Sequence, residues 1–185
     1  MAVLCDRRYD KAVEKLPGDY IAGFVDGEGC FALKFRRDIR YKRKGQPVYF
    51  YWDIEFAILL RGDDRELLER IMATLDCGRI SMDQRGAARY AVNVINDLSE
   101  KIVPFFMKYH LHGKKRHDFE LWREALVIFK KNYHPGPRIK KGERKFKKAM
   151  QNPEDVKHLQ EIHEAMKLYK SKRPAEWKWL SHARV

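Results

Sequence analysis

The stretch Ile21-Ala22-Gly23-Phe24-Val25-Asp26-Gly27-Glu28-Gly29 joins two features whose chemistry could act together. Gly23 and Gly27 stand one helical turn apart, although glycine inside a helix costs about 1 kcal/mol against alanine. With Ala22 they make a helix face of almost no side chain, which lets a second backbone come very close. Ile21, Phe24 and Val25 are large and apolar and are expected to anchor the opposite face in the domain's own core. Asp26 and Glu28 fall at the helix end, where the last carbonyls lack partners and the helix dipole disfavours a carboxylate. A hard divalent cation, which takes carboxylate and carbonyl oxygens, would compensate. If two such helices meet through their glycine faces, two copies of Glu28 come together, ready to hold metal ions beside a phosphodiester.

The charge balance suits an anionic partner. Thirty-nine Lys and Arg against 26 Asp and Glu leave +13 on 185 residues, a footprint for polyanions, chiefly nucleic acid, with an anionic membrane as the rival. No apolar run approaches the roughly 20 residues that span a bilayer. The first residues also lack the apolar stretch and cleavage site of a secretory signal. The expectation is an intracellular chain, in a bacterial cytoplasm or an organelle, not secreted and without a membrane partner. Cys5, Cys30 and Cys77 form no CxxC pair, so reduced thiols are expected rather than zinc ligands or disulfides. His110, His112 and His117 fit no zinc spacing and read as phosphate contacts. His163-Glu164 opens like a metalloprotease helix, but Lys167 stands where the second histidine is needed.

The elements that must position these groups follow from periodicity. A short helix is expected over Asp6 to Lys15, and the motif helix from about Tyr20 to Gly27, started by Pro17 and Asp19. From Cys30 to Arg36, Phe31, Leu33 and Phe35 alternate with Cys30, Ala32, Lys34 and Arg36, so one face enters the core. In the next strand Phe50, Trp52, Ile54, Phe56 and Ile58 share one face, leaving Tyr51, Asp53 and Glu55 exposed on the other. Asp63 or Asp64 caps a helix to Leu75, with Leu67, Leu68, Ile71 and Leu75 inward. Gly78 to Asp83 and Arg89 to Ile95 read as a hairpin around Gln84-Arg85-Gly86, exposing Ser81, Asp83, Arg89, Ala91 and Asn93. Helical spacing returns over Asp97 to Tyr109 and His117 to Lys131. This order favours an α+β domain with an antiparallel sheet covered by helices on one face. Residues 1–131 form the domain, with its core in 16–131. Residues 132–185 are set apart as a basic linker and helical extension, with a helix from about Pro153 to Lys170 and Trp177 and Trp179 beyond it.

The nonapeptide resembles the signature of the LAGLIDADG homing endonucleases. Phe56-Ala57-Ile58 followed by Asp64 to Ile71, Cys77-Gly78-Arg79-Ile80, and Ile102 to Phe106 through Gly113 to Phe119 extend the likeness over Leu16 to Lys131. The resemblance implies an αββαββα fold whose saddle-shaped sheet lies in the DNA major groove. It also implies Mg²⁺-dependent (or Mn²⁺-dependent) double-strand cleavage with short 3′ overhangs, serving the homing of a mobile intron or intein-like element. A single motif implies a homodimer, joined through Ala22, Gly23, Asp26 and Gly27, and a near-palindromic target.

Carried over by position, Glu28 takes the place of the metal-binding acid, Gly27 lends a carbonyl to metal, and Lys115 is the basic residue beside the scissile phosphate. The polar residue expected near the end of the second strand falls on Leu60, a departure for which adjacent Arg61 is the candidate substitute. Lys34, Arg36, Tyr51, Asp53, Glu55, Ser81, Asp83, Arg89 and Asn93 would face bases, where Arg or Lys pairs with guanine and Asn with adenine. Arg40, Arg85, Lys114 and Arg116 complete the expected DNA contacts, and Lys140 and Lys141 are expected to meet phosphates. A non-cutting DNA-binding module or an RNA maturase on the same scaffold is the alternative. The acid at Glu28 favours the enzyme.

Overall fold

The computed structural model describes residues 13–37, 50–132 and 152–170. The glycine-bearing motif forms helix α1 (Gly18–Glu28), which begins earlier than its periodicity suggests. Pro17, at φ −58° and ψ 140°, holds the N-cap position, and its carbonyl accepts the Ile21 N–H at 3.2 Å. Asp19 makes no side-chain cap bond but sits in the first turn, where its charge complements the positive helix end. The short helix expected before α1 falls mostly outside the described residues, and residues 13–17 are irregular.

Strand β1 (Gly29–Arg37) follows α1 without an intervening residue. It pairs with β2 (Phe50–Arg61), and a 3₁₀ turn over Gly62–Asp64 leads into α2 (Arg65–Leu75). Asp64 occupies the N-cap position there, again without a side-chain cap bond. Strands β3 (Arg79–Met82) and β4 (Ala87–Val92) form the second hairpin. The Asp83 carboxylate closes its turn, accepting the Arg85 and Ala87 N–H groups at 2.9 and 2.8 Å. Gly86, at φ 82°, supplies the left-handed residue that such a turn needs.

The helix expected from Asp97 to Tyr109 is present, running from Ile95 to Lys108, and it widens into a π turn at Leu98–Ile102 before α3 (Val103–Lys108). Pro104 stands at the start of α3, directly after the π turn. Helices α4 (Lys115–Lys131) and α5 (Pro153–Lys170) follow.

The sheet runs β1-β2-β4-β3, with every pair antiparallel. This is the α+β architecture that alternation and element order predict. Phe31, Leu33, Trp52, Ile54, Phe56, Ile58, Tyr90 and Val92 face the helices and are buried. Phe31 is the hub, with ring centroids 5.1 to 5.4 Å from Phe56, Phe106, Phe119 and Trp122. Phe35 is only partly buried, stacked at 5.4 Å on Phe50 near the end of the sheet. Leu67 is likewise partly buried while Leu68, Ile71 and Leu75 fill the inner face of α2.

Helix α5, set apart by composition as an extension, contributes Leu159, Ile162 and Met166 to the same core. Its start is tied to the end of α4, where Lys131 and Asn132 donate to Asp155 at 3.1 and 2.8 Å. His163 meets the edge of Trp52 at 5.3 Å. Among the described residues no helix is long and apolar enough to cross a membrane.

Because Leu159 is fully buried, Leu159→Ala should lower the unfolding free energy of the whole domain by about 2–4 kcal/mol. Chemical denaturation followed by far-UV circular dichroism checks this; a separate early transition confined to α5, with the main midpoint unchanged, would show that the helix is not part of the cooperative unit.

Candidate active site and nucleic-acid interface

Helix α1 is two-sided. Ile21, Ala22 and Val25 are buried against the protomer's own core, whereas Gly23 and Gly27 are exposed. Among the described residues, a Cβ built on either glycine meets nothing within 4 Å, so their packing does not require glycine at either position. Two expectations are corrected. Ala22, at 3% exposure, belongs to the core and not to the bare face. Phe24 is only partly buried and stacks on exposed Tyr20, with centroids 6.3 Å apart. The free face therefore carries Tyr20, Gly23, Phe24 and Gly27, a spacing of three and four residues that the sequence already displayed.

Asp26 is corrected as well. Its Oδ2 accepts the backbone N–H groups of His112 and Gly113 at 2.8 and 3.1 Å, so the side chain turns to its own chain. The carboxylate thereby pins the loop before α4 to the end of α1, which fixes the approach of Lys114 and Lys115. Those two residues and Arg116 sit at the N-terminal end of α4, where helix dipole and side chains together raise a positive potential. Arg116 is also paired with Glu120 at 3.1 Å.

Glu28, exposed at the last position of α1, opens onto a groove of about 880 Å³ lined also by Leu59, Leu60, Arg61, Asp63, Asp64 and Arg85. Two close backbones build its floor: a Cβ on Gly62 would overlap the Gly86 carbonyl oxygen, so the 62–64 turn lies directly against the β3–β4 turn. Arg61 is exposed and pairs with Asp63 at 3.0 Å, while Leu60 packs on the core. The groove thus brings Glu28, Arg61 and Arg85 together. Lys115 does not line it. Asp63 and Asp64, read from sequence only as helix caps, do.

The donor set suits a hard cation, with the Glu28 carboxylate beside helix-end carbonyls that lack intrahelical partners. It is incomplete in one chain: among the described residues no group of three or more His, Cys, Asp or Glu side chains is placed to hold a metal. Further oxygens must come from a phosphate, water or a second copy.

The sheet face away from the helices carries Lys34 and Arg36 on β1, Tyr51, Asp53 and Glu55 on β2, Ser81 on β3 and Arg89 on β4, with Asn93 just past β4 and Asp83 and Arg85 in the adjoining turn. The sides follow the alternation, but exposure does not. Glu55, expected to be exposed, is 5% exposed, and Ala32, Ala57 and Ala91 around it are buried too. Its Oε1 accepts from Lys34 Nζ and from Arg89 Nη2, the latter at 2.8 Å. Arg36 meets Asp53 at 3.3 Å. Burial pushes the Glu55 carboxyl up, but the hydrogen bonds from Lys34 and Arg89, and then their charges, more than offset it and hold it below the ordinary carboxylate range. Glu55 is therefore ionised at neutral pH. Arg40, Lys140, Lys141, Trp177 and Trp179 lie outside the described residues.

A family model described as LAGLIDADG endonuclease matches residues 21–126, from the first core residue of α1 well into α4. The chain belongs to the LAGLIDADG endonuclease family. A probable intron-encoded DNA endonuclease 1 of Mycosarcoma maydis is 33% identical over 98 residues, covering 53% of this chain and 33% of that protein. A probable intron-encoded endonuclease 2 of Neurospora crassa is 29% identical over 118 residues, covering 63% of this chain and 24% of that protein. The chain thus spans a third or less of these curated relatives. Among solved structures, I-SmaMI bound to uncleaved DNA target in the presence of calcium ions superposes with TM-score 0.63 at 25% identity, over 82% of this chain and 45% of that one. The homing endonuclease I-TnaI shares the fold, with TM-score 0.61 at 24% identity over 84% and 97% of the two chains.

Removing the Asp26 carboxylate leaves two N–H groups without their acceptor. Asp26→Ala should cost about 1–2 kcal/mol in thermal or chemical unfolding, and amide exchange at His112 and Gly113 should accelerate. Unchanged exchange at both would mean that the loop is held by something else.

Proposed function

We propose that this chain is a site-specific DNA endonuclease, a homing enzyme that cuts both strands of a long, near-palindromic target as a homodimer and leaves short 3′ overhangs. The observation that carries the reading is the pairing of family membership with the position of Glu28. This exposed acid stands where a bare helix face meets a groove bearing Arg61 and Arg85, beside an open sheet face set with cations. The relatives named as intron-encoded endonucleases, and I-SmaMI bound to its DNA target, support the same substrate. Action on DNA inside a cell follows from it.

Two copies joined through Tyr20, Gly23, Phe24 and Gly27 would bring the two Glu28 side chains together and place the two sheets along successive half-sites. Glu28 and the Gly27 carbonyl would hold Mg²⁺ or Mn²⁺. When bound, such an ion supplies Lewis-acid stabilisation of charge on the phosphate and activation of the attacking water. The chain's own residues do the remaining work. Arg61 and Arg85 neutralise the phosphate entering the groove, and Lys115, outside the groove at the start of α4 and steered by the Asp26-pinned loop, adds positive charge for the flanking backbone. No covalent bond to the protein is needed.

Glu28→Gln keeps size and helix packing but removes the charge that holds metal. It should retain DNA binding and lose cleavage of a plasmid carrying the selected target in Mg²⁺, by at least about a hundredfold. Full cleavage by the variant would sink the role of Glu28.

Gly23→Leu probes assembly. A side chain at Gly23 meets open space among the described residues, and leucine is the better helix former by about 0.8 kcal/mol. The protomer should keep its melting temperature while light scattering reports loss of the dimer; a wild-type dimer would place the interface elsewhere.

A further inference from the structure

The middle of the open sheet face is taken up by a charge cluster that base reading alone does not explain. Glu55 sits on β2, between β1, which brings Lys34, and β4, which brings Arg89. Both cations converge on the same oxygen, Oε1, of a carboxylate whose side chain is 7% exposed. So enclosed, it has little surface left to offer the amino group of a cytosine. The strand register sets Arg89 opposite Leu59, with the pair Ala57 and Ala91 between it and Glu55. To reach Glu55 the guanidinium must lie along the sheet, and the buried alanines are the small residues that give it room.

We propose that Glu55 is a positioning residue for base recognition: its buried carboxylate holds the Lys34 ammonium and the Arg89 guanidinium in the orientation in which their remaining N–H donors meet base-pair edges, and keeps both off the phosphates. This role rests on the DNA-reading surface proposed above. An unrestrained lysine or arginine samples many rotamers, and a mobile cation finds the nearest phosphate of any sequence. Specific reading needs the opposite, a donor pair held against the acceptors of one base. Glu55 contributes that restraint and also removes one unit of positive charge from the middle of the face. Selectivity should then depend on an acid that touches no base.

The test uses the full chain and selection from a randomised duplex library without divalent metal, at two salt concentrations, so that cleavage plays no part. Lys34→Ala and Arg89→Ala first mark the base pairs that each cation reads. Glu55→Gln should lower preference at both marked positions by about tenfold. It should also raise affinity for unrelated duplex and steepen the log–log salt dependence by about 0.9 per phosphate newly contacted. Added to Arg89→Ala, it should cause no further loss at the position Arg89 marks. Glu55→Asp keeps the charge but cannot span both cations; it should lose preference at the same positions with the salt slope unchanged, and it carries the test if Glu55→Gln does not fold.

A wild-type preference profile in the folded Glu55 variants, or an even weakening at every position, overturns the positioning role and leaves Glu55 a structural ion pair. A wild-type chain that enriches no sequence instead removes the reading surface itself, and the role with it.

Discussion

The site depends on a junction with no loop. Glu28 is the last residue of α1 and Gly29 the first of β1, so the acid cannot drift relative to either element. Gly29 is buried, and a Cβ there would overlap the Val25 side chain and lie 2.8 Å from the Val25 carbonyl oxygen. Its backbone is extended, at φ −72° and ψ 157°, which any residue can adopt. Space, and not backbone strain, demands glycine. That contact ties the acid to Val25, Val25 to the core, and the core to the sheet on which the cations stand.

The same economy governs the two faces of the sheet. On the helix side, large aromatic rings gather around Phe31 and make β1 and β2 a rigid platform. On the open side, small alanines surround Glu55, so long charged side chains can lie across the surface. A buried carboxylate would ordinarily be costly, and it is tolerated because two cations reach it from neighbouring strands. The rigid side makes the charged side possible: with β1 and β4 held in register, Lys34 and Arg89 have fixed roots. Asp26 plays a comparable part near the C-terminal end of α1, where its Oδ2 accepts two backbone N–H groups and a loop is fixed in return.

Much of this was legible in the residues. Period-two alternation put Phe31, Leu33, Trp52, Ile54, Phe56 and Ile58 on the core side and Lys34, Arg36, Tyr51, Asp53, Glu55, Ser81 and Arg89 on the other, as the structure has them, and the nonapeptide pointed to the motif helix, to the acid that ends it and to the family. Reading failed where a side chain's partner lay far along the chain. Asp26 and the 112–113 loop are 86 and 87 residues apart. Glu55 is on the expected side but buried, because Lys34 and Arg89 fold over it from other strands. Ala22 looked like part of the bare face only because it is small. Composition alone set α5 apart, and its apolar spacing could not say that those residues would join the core of residues 16–131.

The sequence by itself determined the period of each element, the bareness of Gly23 and Gly27 and the acid that ends their helix. These are local properties, set by side-chain size and by the 3.6- and 2-residue repeats. Tertiary structure alone decided which face of α1 stays free, which acids are spent on internal partners and which cations share the groove with Glu28. Those outcomes depend on distances between segments remote in the chain, and such distances exist only once the core has closed.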